Sequence, residues 1–324
     1  MNINEIKQLL STSMAPYEKA RQQFLAAQSG PMSDIVAYLE RQRGKELRPL
    51  LTLMSAHACG LPEGTKESNP VFRVAVLMEL LHNATLMHDD VIDESALRRG
   101  EPTVNAQWGN QVAVLAGDYF LSQVMQGLHE IDNPLITDMV NHAVTAMSLG
   151  ELIQLQQCGD YTIGETDYLC TIEHKTARLM QACCGAGAVL GTSRKDYRDA
   201  AMQFGMAYGM AFQMHDDWAD MQPSSVTGKP QGNDLKEHKV TLPIILTLKR
   251  LEGDTKSAFL TLLQKEVLTD SDVQQAIQTI EASGAVEATQ GKIAEQVQQA
   301  LCQLARLPQS PYREGLTSMA ESLT

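Results

Sequence analysis

The stretch from Leu77 to Arg99, LMELLHNATLMHDDVIDESALRR, decides the fold. An apolar run carries carboxylates at Asp89, Asp90 and Asp93, and Arg98 and Arg99 follow. On an α-helix, residues four apart differ by only about 40° of rotation, so Asp89 and Asp93 share a face and His82 lies close to the same line. Aspartates repel one another and form helices poorly, so three of them beside an apolar run cost stability unless a cation sits between them. Carboxylates without thiolate or clustered imidazole favour a hard ion, and Mg²⁺ typically takes one or two carboxylates plus substrate phosphates. A guanidinium is a fixed fork of donors matched to phosphate oxygens, so acids and arginines within about two turns suit a Mg²⁺-diphosphate clamp. For one such cluster alone, an exposed helix end with scattered charges explains the residues equally well.

A second cluster shifts the balance. Gln213 to Asp220 reads QMHDDWAD, which spaces Asp216, Asp217 and Asp220 in the same way inside another apolar segment, Phe204 to Met214. Two carboxylate-bearing helices facing each other can hold several metal ions around one diphosphate. Metals and cations that polarise a departing diphosphate in a dry cavity are a route to a carbocation.

The rest of the chain fits an all-α protein. It has 324 residues, 44% of them hydrophobic, enough for a substantial core, and no repeat or linker divides it, so one domain spanning 1–324 is expected. A net charge of −13 argues against a general nucleic-acid binder, which needs a basic footprint. Six cysteines show no CxxC pairing or zinc-type spacing, and Cys183-Cys184 reads as a pair of small apolar residues in a reduced cytosol. The N-terminal MNINEIKQLLSTSM lacks a basic n-region and a long apolar core, and no run reaches membrane-span length; a cytoplasmic protein is expected.

Helical periodicity predicts helices over Ile3–Gln28, Asp34–Ala58, Pro70 onward through the first acidic cluster, Gln111–Glu130, Pro134–Cys158, Thr166–Gly191 and Asp196–Asp220. The glycines of CCGAGAVLG are expected to serve close packing. The Gly- and Lys-rich stretch Thr227 to Pro243 reads as a loop, either a lid over a phosphate site or an ordinary surface loop, and Leu242 to Ala305 as a peripheral helical layer.

At this point the residues carry a resemblance. GKELRP, LHNATLMHDDVIDESALRRGEPT, GDYFL, HKTARL, FQMHDDWAD and GKPQGNDL…KVTLP, in that order between residues 44 and 243, resemble the motif set of the trans-polyprenyl diphosphate synthases, most of all the bacterial octaprenyl type. The resemblance implies an all-α bundle around a deep central cavity, a homodimer, and Mg²⁺-dependent condensation of isopentenyl diphosphate with an allylic diphosphate, farnesyl or geranylgeranyl. It implies that Lys45, Arg48, His82 and Arg99 bind isopentenyl diphosphate and that Arg98 contacts the allylic diphosphate. It implies that Asp89 and Asp93 hold two Mg²⁺ ions and that Asp216 holds a third, with Asp217 and Asp220 in support. Lys175, Thr176, Gln213, Lys229 and Lys239 fall where the family places further diphosphate or cation-stabilising groups. The released diphosphate takes the proton in this family, so no side-chain base is assigned.

Product length depends on what stops the growing tail. Counting back from Asp89, His88, Ala84, Leu81 and Leu77 form a stripe about 18 Å long beside the metal face. In the family a bulky aromatic at or just after the position of Ala84 gives a short product. Ala84 and Thr85 leave the cavity open, with Leu81 or Leu77 as part of a deeper floor, and the expected product is a long chain around octaprenyl, a quinone side-chain precursor. The chain departs from the usual GGKRLRP-like stretch at Arg43 and Glu46, and carries His215 and Trp218 in the second cluster. A class I terpene synthase would need no second diphosphate site, and 5% aromatic content is thin for guiding cyclisation. A shorter-chain synthase and a non-catalytic subunit of a heterodimeric synthase are the remaining alternatives, although two complete clusters argue against the latter.

Overall fold

The computed structural model describes residues 1–26, 28–223 and 231–324. Among these the secondary structure is helical apart from one small hairpin, as the periodicity predicts. The expected first helix is two, α1 (Ile3–Leu9) and α2 (Ser11–Ala26). Asn2 and Glu5 close a reciprocal capping box on α1, and the chain turns at the buried Leu10. The expected helix over Asp34–Ala58 is also two, α3 (Pro31–Arg41) and α4 (Leu47–Ala58). Between them Glu46 takes a left-handed conformation, φ 56 and ψ 45, which a right-handed helix cannot continue through.

Asn69 caps α5 (Pro70–Ile92) by accepting the Val71 N–H at 3.0 Å, and Pro70 starts it. The hairpin β1 (Leu97–Arg98) and β2 (Glu101–Pro102) turns through Arg99 and Gly100, both at positive φ, as a two-residue turn of this kind requires. Then come α6 (Val104–Trp108), α7 (Asn110–Ile131), α8 (Pro134–Gln157) and α9 (Glu165–Ile172). A π-helical turn over Glu173–Ala177 leads into α10 (Arg178–Gly191). After α11 (Lys195–Asp220) follow α12 (Asn233–Lys236), α13 (Leu242–Arg250), α14 (Gly253–Leu263), α15 (Asp270–Ala282), α16 (Ala285–Leu304) and α17 (Pro311–Glu321).

The chain divides into two compact units, Met1–Met139 with Ala182–Met202 and Arg306–Ser318, and Val140–Gln181 with Gln203–Ala305 and Met319–Thr324. In the first, α5 is central and packs on α7, α4 and α2. Leu50, Leu51, Met54, Phe72, Met78, Leu81 and Phe120 are buried there, each worth roughly 1.5–3 kcal/mol of apolar burial. Gly187 and Gly191 of α10 press on the α4 backbone at the Thr52 and Ala56 carbonyls, the close packing expected of CCGAGAVLG. In the second unit α13 corrects the expectation of a peripheral layer, because Leu242 through Leu248 are all buried and the helix packs on α9, α15 and α16. A helix apolar all round belongs in a core. Burial pushes the Cys184 thiol up to about 12 and the Cys183 thiol up as well, so both pack as inert small residues. Among the described residues no helix is long and apolar enough to cross a membrane.

Candidate active site

In the first unit, α5 runs as one helix through His82 and Asp89 and ends with Asp93 as its C-cap, the Asp93 N–H donating to the Asp89 carbonyl at 2.8 Å. Asp89 and Asp93 therefore stand one turn apart on the expected face. Asp90 points elsewhere: it is buried and accepts from Arg98 Nε at 2.9 Å and Nη2 at 2.7 Å. The middle aspartate thus fixes the hairpin arginine to the helix. Asn105 braces the same corner by donating to the Asp90 and Ser95 carbonyls.

Arg99 crosses to the 42–46 loop and donates to the Gln42 carbonyl at 2.9 Å. A Cβ on Gly44 would collide with its guanidinium, so only glycine admits this approach. Arg48 lies in the first turn of α4, where the helix dipole disfavours a cation and welcomes an anion. Burial, then the charges of Arg48, Arg99 and Arg98, push the His82 imidazole well below its ordinary value. The charges of three guanidinium groups thus all act to disfavour protonation of this imidazole. Lys45 stands exposed at the loop tip.

Sequence reasoning passed over Glu79, one turn before His82. Burial raises its carboxyl, with Arg48 pulling the other way, and its Oε2 has no hydrogen-bond partner. An acid inside VAVLMELLH was the available signal. A cavity of ≈ 80 Å³ beneath the loop is lined by Tyr17, Arg43, Glu46, Glu79, Arg98 and Arg99 among others.

The stripe expected to set product length is buried at Ala84, Leu81 and Leu77, while the Thr85 hydroxyl donates to the His82 carbonyl at 2.8 Å. Leu77 packs against Gly127 of α7, where a Cβ would approach its side chain within 2.6 Å.

In the second unit the π turn presents Lys175 and Thr176. Such turns widen the helix by one residue and re-aim side chains, and they recur at functional sites. Gly150 of α8 abuts the Lys175 N–H and Gly209 of α11 abuts Ala177, close approaches that brace the turn from two helices. Lys175 Nζ meets Glu151 Oε2 at 2.6 Å. Thr176 donates to Gln213 Oε1 at 2.6 Å, Gln213 Nε2 donates to Asp217 Oδ1 at 2.8 Å, and the Tyr168 hydroxyl donates to Asp217 Oδ2 at 2.7 Å. One hydrogen-bonded chain thus ties the π turn to the second acidic cluster.

Burial pushes the Asp217 carboxyl up to about 7, with Asp216 and Asp220 adding to the shift. Burial also raises Asp220, whose carboxylate accepts from the Asn233 and Asp234 N–H groups at 3.1 Å each. Asp234 is raised well above the usual range by burial and then by Asp217 and Asp220, against the pull of Lys239. Sequence reasoning gives Asp234 no role. It joins Asp216, Asp217 and Asp220 as a fourth mutually repelling carboxylate, and Lys239 stands beside it, 2.6 Å from Glu237. Asp216 is exposed and the His215 ring leans on Trp218 at 5.5 Å. Lys229 lies outside the described residues, as do residues 227–230 of the expected loop; the described remainder forms α12 and then meets α13.

The donor set fits Mg²⁺. All candidate ligands are carboxylate oxygens, and the second cluster is electrostatically frustrated in the manner a hard cation relieves. Among the described residues no three His, Cys, Asp or Glu side chains converge on one ion position, so an ion there would draw its remaining ligands from substrate phosphate and water.

The polyprenyl synthetase family model matches residues 30–280. An all-trans-nonaprenyl-diphosphate synthase (geranyl-diphosphate specific) of Rhodobacter capsulatus is 36% identical over 279 residues, 85% of this chain and 83% of that protein. The octaprenyl diphosphate synthase of Escherichia coli K12 is 30% identical over 321 residues, 99% of this chain and 98% of that one. The crystal structure of a polyprenyl synthase from Caulobacter crescentus, complexed with calcium and isoprenyl diphosphate, superposes with a TM-score of 0.89 at 29% identity, covering 99% of this chain and 97% of that one. The chain belongs to the polyprenyl synthetase family, the trans-polyprenyl diphosphate synthases, and is a prenyltransferase.

Proposed function

We propose that this long-chain polyprenyl diphosphate synthase extends an allylic diphosphate, farnesyl or geranylgeranyl, by successive Mg²⁺-dependent condensations with isopentenyl diphosphate to a product around octaprenyl, a quinone side-chain precursor. The observation that carries the reading is that the charges of Arg48, Arg99 and Arg98 all act on His82, on the helix that bears Asp89 and Asp93. Lys45, Arg48, His82 and Arg99 bind the diphosphate of isopentenyl diphosphate. Arg98 meets the allylic diphosphate, and its attachment to Asp90 fixes where its remaining donors point. Lys175, Thr176, Gln213, Lys229 and Lys239 serve the leaving diphosphate and the developing cation. Asp89, Asp93 and Asp216 hold Mg²⁺, three ions in all, which when bound supplies positive charge to the departing diphosphate. The calcium and isoprenyl diphosphate in the C. crescentus structure support this pairing of metal with substrate.

The chain's own task is to orient. The double bond of isopentenyl diphosphate attacks the allylic C1, the allylic C–O bond breaks, and the released diphosphate accepts the proton then lost. Buried Asp217, held by Tyr168 and Gln213, keeps the second cluster in register with the π turn. Exposed apolar side chains on α7 (Leu115, Met125) and on α8 (Leu152, Leu155) support a homodimer. Helices α8, α10 and α11 each run through both compact units, which supports one domain over 1–324.

The test is to incubate purified protein with farnesyl diphosphate, isopentenyl diphosphate and Mg²⁺ and to size the dephosphorylated products. A dominant product near eight isoprene units is expected. Chains of three or four units would mean a shorter-chain synthase, and no condensation with any allylic starter would mean a non-catalytic subunit.

A further inference from the structure

Arg43 and Glu46 depart from the family's GGKRLRP-like stretch, and the structure joins them. Glu46 is 6% exposed and sits in a left-handed conformation that disfavours a residue with a Cβ. Three side chains hold it there. Arg43 Nη2 donates to Oε1 at 2.6 Å, the Tyr17 hydroxyl donates to Oε1 at 3.1 Å, and Lys7 Nζ donates to Oε2 at 3.3 Å. Arg43 also donates to Glu18 at 2.5 Å. Lys7 belongs to α1, and Tyr17 and Glu18 to α2, so the first two helices grip the 42–46 loop at Arg43 and Glu46. Arg99, lying over Gly44, adds a second grip. Lys45 stands between Gly44 and Glu46, and Arg48 two residues beyond Glu46.

An unanchored loop would lose backbone entropy at every residue when it ordered around a ligand. A buried carboxylate next to a diphosphate site would also compete for its cations, yet Glu46 is already met by Lys7 and by Arg43, which it shares with Glu18. We infer that Glu46 is a positioning residue for isopentenyl diphosphate: through Arg43, Tyr17 and Lys7 it holds the 42–46 loop in the shape that presents Lys45 and Arg48, and so makes α1 and α2 part of that substrate's site. This rests on Lys45 and Arg48 binding that diphosphate.

The experiment is steady-state kinetics on the full-length Mg²⁺-loaded enzyme with each substrate varied in turn, alongside thermal melting. Glu46→Gly keeps the left-handed backbone permitted and removes every anchor; Glu46→Gln keeps the shape and removes the charge. The KM for isopentenyl diphosphate is expected to rise about tenfold in Glu46→Gly and about threefold in Glu46→Gln, with kcat and the allylic KM within about twofold of the parent. Arg43→Gln is expected to match Glu46→Gln. An unmoved KM for isopentenyl diphosphate in Glu46→Gln overturns the inference, and so does a parallel loss of kcat and both affinities with a lowered melting point, the mark of a purely structural role. Should Glu46→Gly fail to fold, the Glu46→Gln result decides. Lys45→Ala is the control for the underlying reading: if it leaves the KM for isopentenyl diphosphate unchanged, the site assignment fails rather than the role of Glu46.

Discussion

Ala84 lies five residues before Asp89 and is 3% exposed, with Leu81 and Leu77 buried behind it on the same stripe. A tyrosine there adds a ring across that stripe, so Ala84→Tyr is expected to shift the product distribution to shorter chains while the first condensations continue. Some stability is lost as well, about 1–3 kcal/mol for forcing a ring into a packed position. Sizing dephosphorylated products from parent and variant checks this, and an unchanged product length in a folded, active variant sinks the stripe argument. Much at this scale was legible in the sequence. A charged group inside an apolar run stands out, and helical spacing alone puts Asp89, Asp93 and His82 on one face. What was not legible depended on partners far away in the chain. Tyr168 acquires its role only because it reaches Asp217, 49 residues on, and Asp234 only because folding brings it beside Asp217 and Asp220. Glu46 looks like a surface acid until its burial against Arg43, Tyr17 and Lys7 is known.

The π turn between α9 and α10 depends on its neighbours' lack of side chains. A Cβ on Gly150 would stand 2.6 Å from the Lys175 nitrogen and 2.9 Å from the His174 Cβ, contacts no helix tolerates without moving. Gly150→Ala is therefore expected to cost about 1–3 kcal/mol of stability by overpacking. Because Lys175 and Thr176 ride on the displaced turn, kcat/KM for the allylic substrate should fall at least about tenfold, while the KM for isopentenyl diphosphate holds. Urea unfolding together with kinetics in both substrates reads out the two effects. A variant of normal stability and normal allylic kcat/KM would show that the turn is not braced through Gly150. Long helices such as α5, α7 and α11 were legible because each carries several turns of periodic burial. The break at Leu10 was not, because local propensity permits a continuous helix through EIKQLLSTSM. The break at 42–46 did carry a signal in Gly44 and Pro49, which cost a helix interior about 1 and about 3 kcal/mol, while its shape depends on distant partners of Glu46 such as Tyr17. The π turn is not legible either, since it leaves the period of each flanking helix intact and shifts only the phase between them.

Residues from both ends of the chain meet at His57. Ser13 of α2 lies 2.7 Å from its Nε2, the Leu61 carbonyl 2.8 Å from its Nδ1, and the Tyr312 ring of α17 stacks on the imidazole at 4.5 Å between centroids. A carbonyl only accepts, so Nδ1 carries the proton and Nε2 accepts from the Ser13 hydroxyl. Burial lowers the pKa of this histidine, with the Leu61 carbonyl and Glu63 opposing in part, and the folded site holds the ring neutral. The unfolded chain binds a proton at about pH 6.5 and the folded chain refuses it until lower pH, so His57's contribution is whole above about 6.5 and is lost as pH falls through the interval between those two values. Asp217 works in the opposite direction. Its folded value near 7 lies above the unfolded carboxylate value, so its contribution grows as pH falls through the same window. The parent's pH profile mixes the two slopes, and only a difference between proteins separates them. His57→Gln keeps Asp217 and removes the titrating ring. In metal-free buffer, the parent is expected to be more stable than His57→Gln at pH 7.5, with the gap narrowing toward pH 5 by at most about 1.4 kcal/mol per pH unit. Urea midpoints of both proteins across that range check it. A gap that stays constant with pH would mean that His57 is protonated to the same extent folded and unfolded, and that this junction of the two ends of the chain does not depend on a neutral imidazole.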